Sequence, residues 1–222
     1  IFPSNEPAKD LSADLVICGG GLGGCAAALA ALRNELKVIM TEETKWIGGQ
    51  ISQQGVPPDE HQWIETHGAT LAYRNFRNSI RAYYKKNYTL TDAAREQIFF
   101  NPGDGMVSRL CHEPRVAVAV LADLFLPYLS SKKLILLTEH RLSAACVTGN
   151  YIRSVRVTDI LDDSNKTLSA PYFIDATELG DLLPLTGTSF VTGSESIKET
   201  NELHASAVSE PENVQSFTSC FA

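Results

Sequence analysis

Six consecutive residues with five glycines, Gly19-Gly20-Gly21-Leu22-Gly23-Gly24, constrain this chain more than any other feature. They follow a short apolar run, Leu15-Val16-Ile17-Cys18, led by Asp14. A run of that length bounded by turn residues reads as a buried parallel strand. Behind the glycines, Cys25 to Leu32 is rich in Ala and Leu and reads as a helix. Lys37-Val38-Ile39-Met40-Thr41 then reads as a second strand, closed by Glu42. Strand, glycine turn, helix and strand together take about 30 residues, the length of one βαβ unit.

Within this unit Gly19, Gly21 and Gly24 satisfy G-x-G-x-x-G, and Ala28 follows at the next close-packing position. The pattern answers three physical demands. Gly19 permits the tight turn off the strand. Gly21 lets the backbone approach a pyrophosphate with no Cβ between them, and Gly24 lets the helix lie close to the sheet. The unpaired N–H groups and dipole of the helix N-terminus then favour the negative charge. Glu42 stands 23 residues after Gly19 (42 − 19). A carboxylate there is placed to accept the ribose hydroxyls of an adenosine, and it would repel a 2′-phosphate. The expectation is dinucleotide binding; the pattern alone does not separate FAD from NAD.

The rest of the chain reads more coarsely. Glu43 to about Gly68 is a long polar loop, of the kind that usually serves function. Leu71 to Tyr84 has helical spacing of Leu71, Phe76, Ile80 and Tyr84, with Arg and Lys between. Pro114 opens a helix to about Ser130, and Leu134 to Thr138 is a strand. Ser143–Val147, Tyr151–Leu161 and Thr167–Ala170 read as short antiparallel strands, with turns at Gly149-Asn150 and Asp163-Ser164-Asn165. Pro171 to Asp175 is again a buried strand.

Composition narrows the function classes. Charged residues make up 20% and hydrophobic residues 44% of the 222 residues, a globular balance. The net charge of −7 argues against a nucleic-acid binder, and no apolar run is long enough to span a membrane. The 5 cysteines form no C-x-x-C pair, and no His/Cys cluster has metal spacing, so no metal is expected.

Two further segments separate the dinucleotides: Trp46-Ile47-Gly48-Gly49-Gln50-Ile51-Ser52-Gln53-Gln54-Gly55, and Phe173-Ile174-Asp175-Ala176-Thr177-Glu178-Leu179-Gly180-Asp181. With them, the chain from about Asp14 to Ala222 resembles the FAD-dependent oxidoreductases of the glutathione-reductase-like FAD/NAD(P)-binding superfamily. More narrowly, it resembles a family some of whose members carry the name xanthan lyase. The resemblance implies an α/β fold: a Rossmann-like FAD-binding three-layer sandwich with an inserted antiparallel β-meander and the start of a substrate domain. It implies FAD as cofactor. The pyrophosphate and ribose would meet Gly19, Gly21, Leu22, Gly23, Gly24, Glu42 and Glu43. Gly48 and Gly49 match the Gly-Gly pair near the pyrophosphate and ribityl chain, with Gln50 beside them as a further cofactor residue. Ser52, Gln53, Gln54 and Gly55 match the loop past the isoalloxazine. Backbone near Cys146 and Val147 would meet the adenine. Ala176 and Thr177 match an Ala-Thr-Gly motif, with Glu178 where many relatives have Gly.

The implied organisation is a tail over 1–12, the first part of an FAD-binding domain over 13–187 and the start of a substrate domain over 188–222. Gly180-Asp181 lies too close to Ala176-Thr177 to be the Gly-Asp return such domains make. The expected partners are therefore a small-molecule substrate and the remainder of the same polypeptide or a second chain. Phe217 and Phe221 are expected to be buried against it. The expected activity is hydride transfer between the flavin and a small organic substrate, a carbohydrate or related compound. An NAD-dependent dehydrogenase and a non-catalytic dinucleotide-binding subunit or fragment are the alternatives. For the proton that accompanies a hydride, a base is needed. His112 is the first candidate, with Arg109 as anion clamp and Glu113 as orienting carboxylate. His61, next to the flavin loop, is the second.

Overall fold

Alternation along two four-residue strands divides the molecule into layers. Leu15 and Ile17 of one strand and Val38 and Met40 of the next belong to one buried cluster. Val16, Cys18 and Ile39 belong to another. A strand buried on both faces cannot show a polar side, so these segments are apolar throughout. The computed structural model describes residues 9–216.

In chain order the elements are β1 (Lys9–Ser12), β2 (Leu15–Cys18), α1 (Leu22–Arg33), β3 (Val38–Thr41), α2 (Gln50–Gln53), α3 (Leu71–Asn87), α4 (Asp92–Glu96) and α5 (Pro114–Ser130). They continue with β4 (Leu134–Leu137), β5 (His140–Thr148), β6 (Tyr151–Asp159), β7 (Asn165–Ser169), β8 (Tyr172–Asp175), α6 (Leu182–Thr186) and α7 (Ile197–Thr200). One sheet is parallel, ordered β4-β3-β2-β8. The other, ordered β1-β7-β6-β5, holds the antiparallel meander β5-β6-β7. Helices α1, α3 and α5 pack on one face of the parallel sheet through Leu29, Leu32, Ile80, Leu121 and Phe125. The meander covers the other face with Val155, Val157 and Leu168, joined by Leu182 of α6. The fold is thus the α/β three-layer sandwich with a β-meander.

The structure departs from the expectation at the N-terminus. Lys9–Ser12, within the stretch read as a tail, is a strand paired parallel to β7. Leu11 and Ala13 pack against the second core, and four residues are too few to show a period. The polar loop after β3 also contains a helix, α2, because Ile47 and Ile51 anchor it in the core beside Leu121. The expected burial of Phe217 and Phe221 lies outside the described residues.

Candidate functional site

Order reversal in the parallel sheet opens a crevice. β2 has β3 on one side and β8 on the other; α1 leaves β2 for one face of the sheet and α6 leaves β8 for the other, and open α/β sheets bind ligands at such strand ends. The cleft there is lined by Gly19 and Gly21 after β2, by Thr41, Glu42 and Glu43 at the end of β3, and by Ala176, Thr177 and Glu178 after β8. His140, Arg141 and Leu142 at the start of β5 close its side.

Close packing explains the glycines. A Cβ on Gly24 would stand 2.1 Å from the Gly19 carbonyl oxygen, so only glycine lets α1 begin so near the turn. A Cβ on Gly19 (φ +102°) would stand 2.1 Å from the Ala176 carbonyl oxygen. Gly21 differs: a Cβ there would meet only Glu178 Oε1, at 3.2 Å, so the space is kept for something other than packing. Gly48 N–H donates to Gly20 O (2.8 Å), which bolts the second glycine pair onto the first. A Cβ on Gly49 would lie 3.2 Å from Gly21 Cα and 3.5 Å from Leu22 N. Gly49 therefore packs directly on Gly21 at the start of α1, whose N-terminus has no capping side chain. Gly21 itself lines the cleft, and its open side beside these uncapped amides suits a pyrophosphate.

Glu42 is buried and held. Its Oε2 accepts from Gly20 N (3.0 Å), and Oε1 accepts from Thr44 N (2.8 Å). A carboxylate has about four acceptor positions, so Oε2 retains one for a ribose hydroxyl. Thr41 Oγ1 accepts from Gly19 N (3.3 Å). Across the cleft, Asp175 accepts from the Thr177 hydroxyl (2.7 Å) and from Leu182 N (2.9 Å), which fixes the turn between β8 and α6.

His140 was not singled out from the sequence, and nothing in its neighbours marks it. Its N–H donates to Glu42 O (3.0 Å). Its Nδ1 lies 2.6 Å from Thr138 O, which only accepts, and its Nε2 lies 2.8 Å from the Lys166 ammonium, which only donates. Nδ1 therefore donates to the Thr138 carbonyl, and Nε2 faces Lys166 and, at 3.6 Å, the Asp159 carboxylate. The ring ties the meander to the strand that carries Glu42.

Not every expected cofactor residue reaches this cleft. Cys146 and Val147 sit toward the far end of β5, and the cleft is lined instead by that strand's first residues. Ser52 is fully buried, its hydroxyl donating to Ile47 O (2.6 Å), so it braces the loop from inside. Gln53 Nε2 donates to Trp46 O (2.5 Å), and Gln54 is exposed. Gln50 opens α2, and Leu22 and Gly23 open α1, the latter two lining an apolar hollow beside Tyr73 and Leu121.

A second cavity, of about 430 Å³, lies beyond α2. It is lined by Gly55 and Pro57, by Tyr84, Tyr88 and Phe100, and by Cys111, His112 and Glu113. His112 Nδ1 is 3.1 Å from the Glu113 carbonyl, so Nδ1 carries the proton and Nε2 the lone pair. That Nε2 is buried with no hydrogen-bond partner. Burial holds the ring below its usual pKa of 6.5, which keeps it neutral. The Glu113 carboxylate does not orient His112. It accepts from Tyr88 Oη (2.5 Å) and Arg115 (3.2 Å). Arg109 is exposed and makes no ion pair among the described residues. His61 is exposed too, both ring nitrogens engaged by its own loop at Trp63 N and Gly68 O, and it lines neither cavity.

Beneath the second cavity lies a buried ion-pair cluster absent from the sequence reading. Arg77 pairs with Glu60 and Glu65, and Arg81 pairs with Glu65 (2.5 Å). Tyr73 Oη donates to Glu60 (2.5 Å), and Arg81 Nε donates to Phe100 O (2.9 Å). Both arginines are almost fully buried, and together they clamp the loop after α2 onto α3. A larger groove of about 510 Å³ along α1, α3 and α5, beside Leu29, Phe76 and Leu124, holds none of the candidate site residues.

Comparison with known proteins gives the family. A family model described as FAD dependent oxidoreductase matches residues 14–220. Among curated proteins nothing matches. Among solved structures, the chain is similar to an L-proline dehydrogenase from P. horikoshii, at 19% identity and TM-score 0.41, covering 78% of this chain and 24% of that one. It is similar to a glycerol-3-phosphate dehydrogenase from Bacillus halodurans complexed with FAD, at 14% identity and TM-score 0.47, covering 78% and 36%. It is similar also to Mycobacterium smegmatis Sdh1, at 14% identity and TM-score 0.46, covering 76% and 34%. The chain thus spans about a quarter to a third of the length of these proteins. The flavin family favours neither the nicotinamide-dependent nor the non-catalytic alternative.

Proposed function

The chain belongs to the FAD-dependent oxidoreductase family, and from that premise we propose that its strand-end cleft holds the adenosine diphosphate half of FAD while the cavity at His112 takes a small organic substrate. The observation that carries this reading is the open side of Gly21 at the uncapped start of α1, in a cleft that Glu42 also lines. Gly19, Gly24 and Ala176 keep the strand ends close, Glu42 Oε2 offers an acceptor to the ribose, and Gly48 holds the second glycine pair in place. α2 begins at this opening and the chain after it reaches the second cavity at Gly55, so one short helix links the two places.

FAD, when bound, supplies a two-electron acceptor for a hydride. The chain's own residues handle the proton. His112 Nε2, neutral and unpartnered, accepts it from a substrate hydroxyl or amine, while the Glu113 carbonyl holds the tautomer that leaves Nε2 free. Tyr84, Tyr88 and Phe100 offer aromatic faces and Glu113 a polar edge, a lining suited to a hydroxylated ring such as a carbohydrate. We assign residues 13–187 to the FAD-binding domain and the start of a substrate domain to residues from 188 onward. The proposal concerns the whole protein, with the rest of the polypeptide or a second chain completing the flavin end.

The test is the flavin content of purified protein, read from its absorption spectrum, with Gly21→Val beside the native chain. The native protein should carry FAD and the variant none. A variant that keeps a full complement would place the pyrophosphate elsewhere.

A further inference from the structure

Glu178 is a charged side chain of the cleft that comes close to both Gly21 and Gly49. Its Oε1 is 3.2 Å from where a Cβ on Gly21 would stand and 3.3 Å from where one on Gly49 would stand. The latter point is only 3.5 Å from Leu22 N, the first amide of α1. The carboxylate thus lies over the same uncapped helix start that the proposed function gives to a pyrophosphate. Nothing in the fold holds it there. Glu178 is exposed and makes no hydrogen bond or ion pair among the described residues. Its neighbours, by contrast, are tied down: Asp175 by Thr177 and Leu182, Thr177 also by Asp181 N (2.7 Å). A side chain free to leave rests on a rigid turn, in a place where the field of α1 favours negative charge.

We propose that Glu178 is an internal competitor for the diphosphate: its carboxylate stands beside the α1 N-terminus and must swing away for a diphosphate to bind there. This inference rests on the reading of the cleft as a dinucleotide site. It makes Glu178 a determinant of affinity for the phosphate portion alone. The adenosine portion, held at Glu42 and the start of β5, is insensitive to it. The carboxylate also discriminates. It raises the threshold for every anion at this amide cluster, so only a ligand that gains further contacts along the cleft displaces it. A free phosphate or a short acid lacks those contacts.

The experiment uses the intact protein with its flavin removed, and titrates ADP and adenosine by calorimetry against the native chain, Glu178→Gln and Glu178→Asp. Glu178→Gln should bind ADP roughly two- to fivefold more tightly at low ionic strength, the scale of one exposed charge at a helix start. The gain should shrink in about 0.5 M salt, where exposed charges are screened. Glu178→Asp, one methylene shorter with its charge kept, should fall between the two, and it carries the test if the Gln variant does not fold. Adenosine affinity should stay within about twofold throughout. ADP binding that is unchanged or weaker in Glu178→Gln, with adenosine binding intact, overturns the competitor role and leaves the cleft assignment standing. Failure of both ligands to bind the native chain overturns the cleft assignment, and this inference with it.

Discussion

The two halves of the site are built from opposite materials. The cleft at the strand ends is made of backbone: bare glycines, helix amides and one carboxylate fastened by main-chain N–H groups. The second cavity rests on side chains, with Arg77 and Arg81 paired to Glu60 and Glu65 out of reach of water. Backbone sites tolerate no added atoms but ask little of the surrounding charge. A buried ion-pair site tolerates shape changes but not the loss of one partner, which strands the other charge in a poorly solvating interior. Damage to the first half should therefore show in ligand binding, and damage to the second in stability.

Arg77→Ala tests that division most severely. Removing one partner of a buried pair costs about 3–5 kcal/mol, so urea unfolding should show a loss of that size. ADP affinity of the folded fraction should be nearly unchanged, since no element of the cleft touches Arg77. A large loss of ADP binding at full stability would break the comparison. Gly21→Val is the reciprocal case. The Cβ would meet only Glu178 and Gly21 has ordinary extended φ, so thermal stability should hold, while ADP affinity should fall at least about 100-fold, near 2.7 kcal/mol at 1.36 kcal/mol per decade.

His112→Gln probes the cavity's chemistry on the flavin-loaded protein once a substrate is in hand. The loss in kcat should be about 100-fold, the lower range for a general base, because a carbonyl rather than a carboxylate orients the ring. The pH sign follows from burial. The folded pKa lies below 6.5, so His112 is neutral at pH 7, and the acid limb of kcat/KM should fall below pH 6.5. The unfolded chain binds the proton first as pH drops, so this residue's linkage lowers stability below pH 6.5. An acid limb above 6.5 that survives in His112→Gln would move the base elsewhere. The smallest effect belongs to His61→Ala: an exposed ring bound to its own loop should change kcat less than about twofold. A larger loss would bring the loop of residues 57–68 into the chemistry.

Legibility from sequence follows the same division. Gly19, Gly21, Gly24 and Glu42 were readable because each answers a local demand at a fixed offset: a turn, a close approach, a strand end. Arg77 and Arg81 went unmarked among the polar residues between the apolar positions of a helix, since four-residue spacing looks the same whether a face meets water or a loop carrying two glutamates. Glu113 stood next to His112 in the chain, yet its carboxylate turned to Tyr88 and Arg115 and only its carbonyl reached the imidazole. Chain adjacency fixes a backbone contact and leaves the side chain free to face elsewhere.

By itself the sequence determined the βαβ unit, the meander, the helix opening at Pro114 and the glycines that let α1 start close to the strand ends. These depend on short-range sterics and on hydrophobic period, both written within a few residues. Tertiary structure alone decided that Lys9–Ser12 becomes a strand, that His140 bridges the meander to Glu42, that Ser52 faces inward and that two arginines are buried. Each depends on what a distant segment brings to the same place: a free sheet edge, an ammonium, a carbonyl, a pair of carboxylates. The energy of a buried polar group is set by its partners, and partners far apart in the chain leave no mark on local pattern.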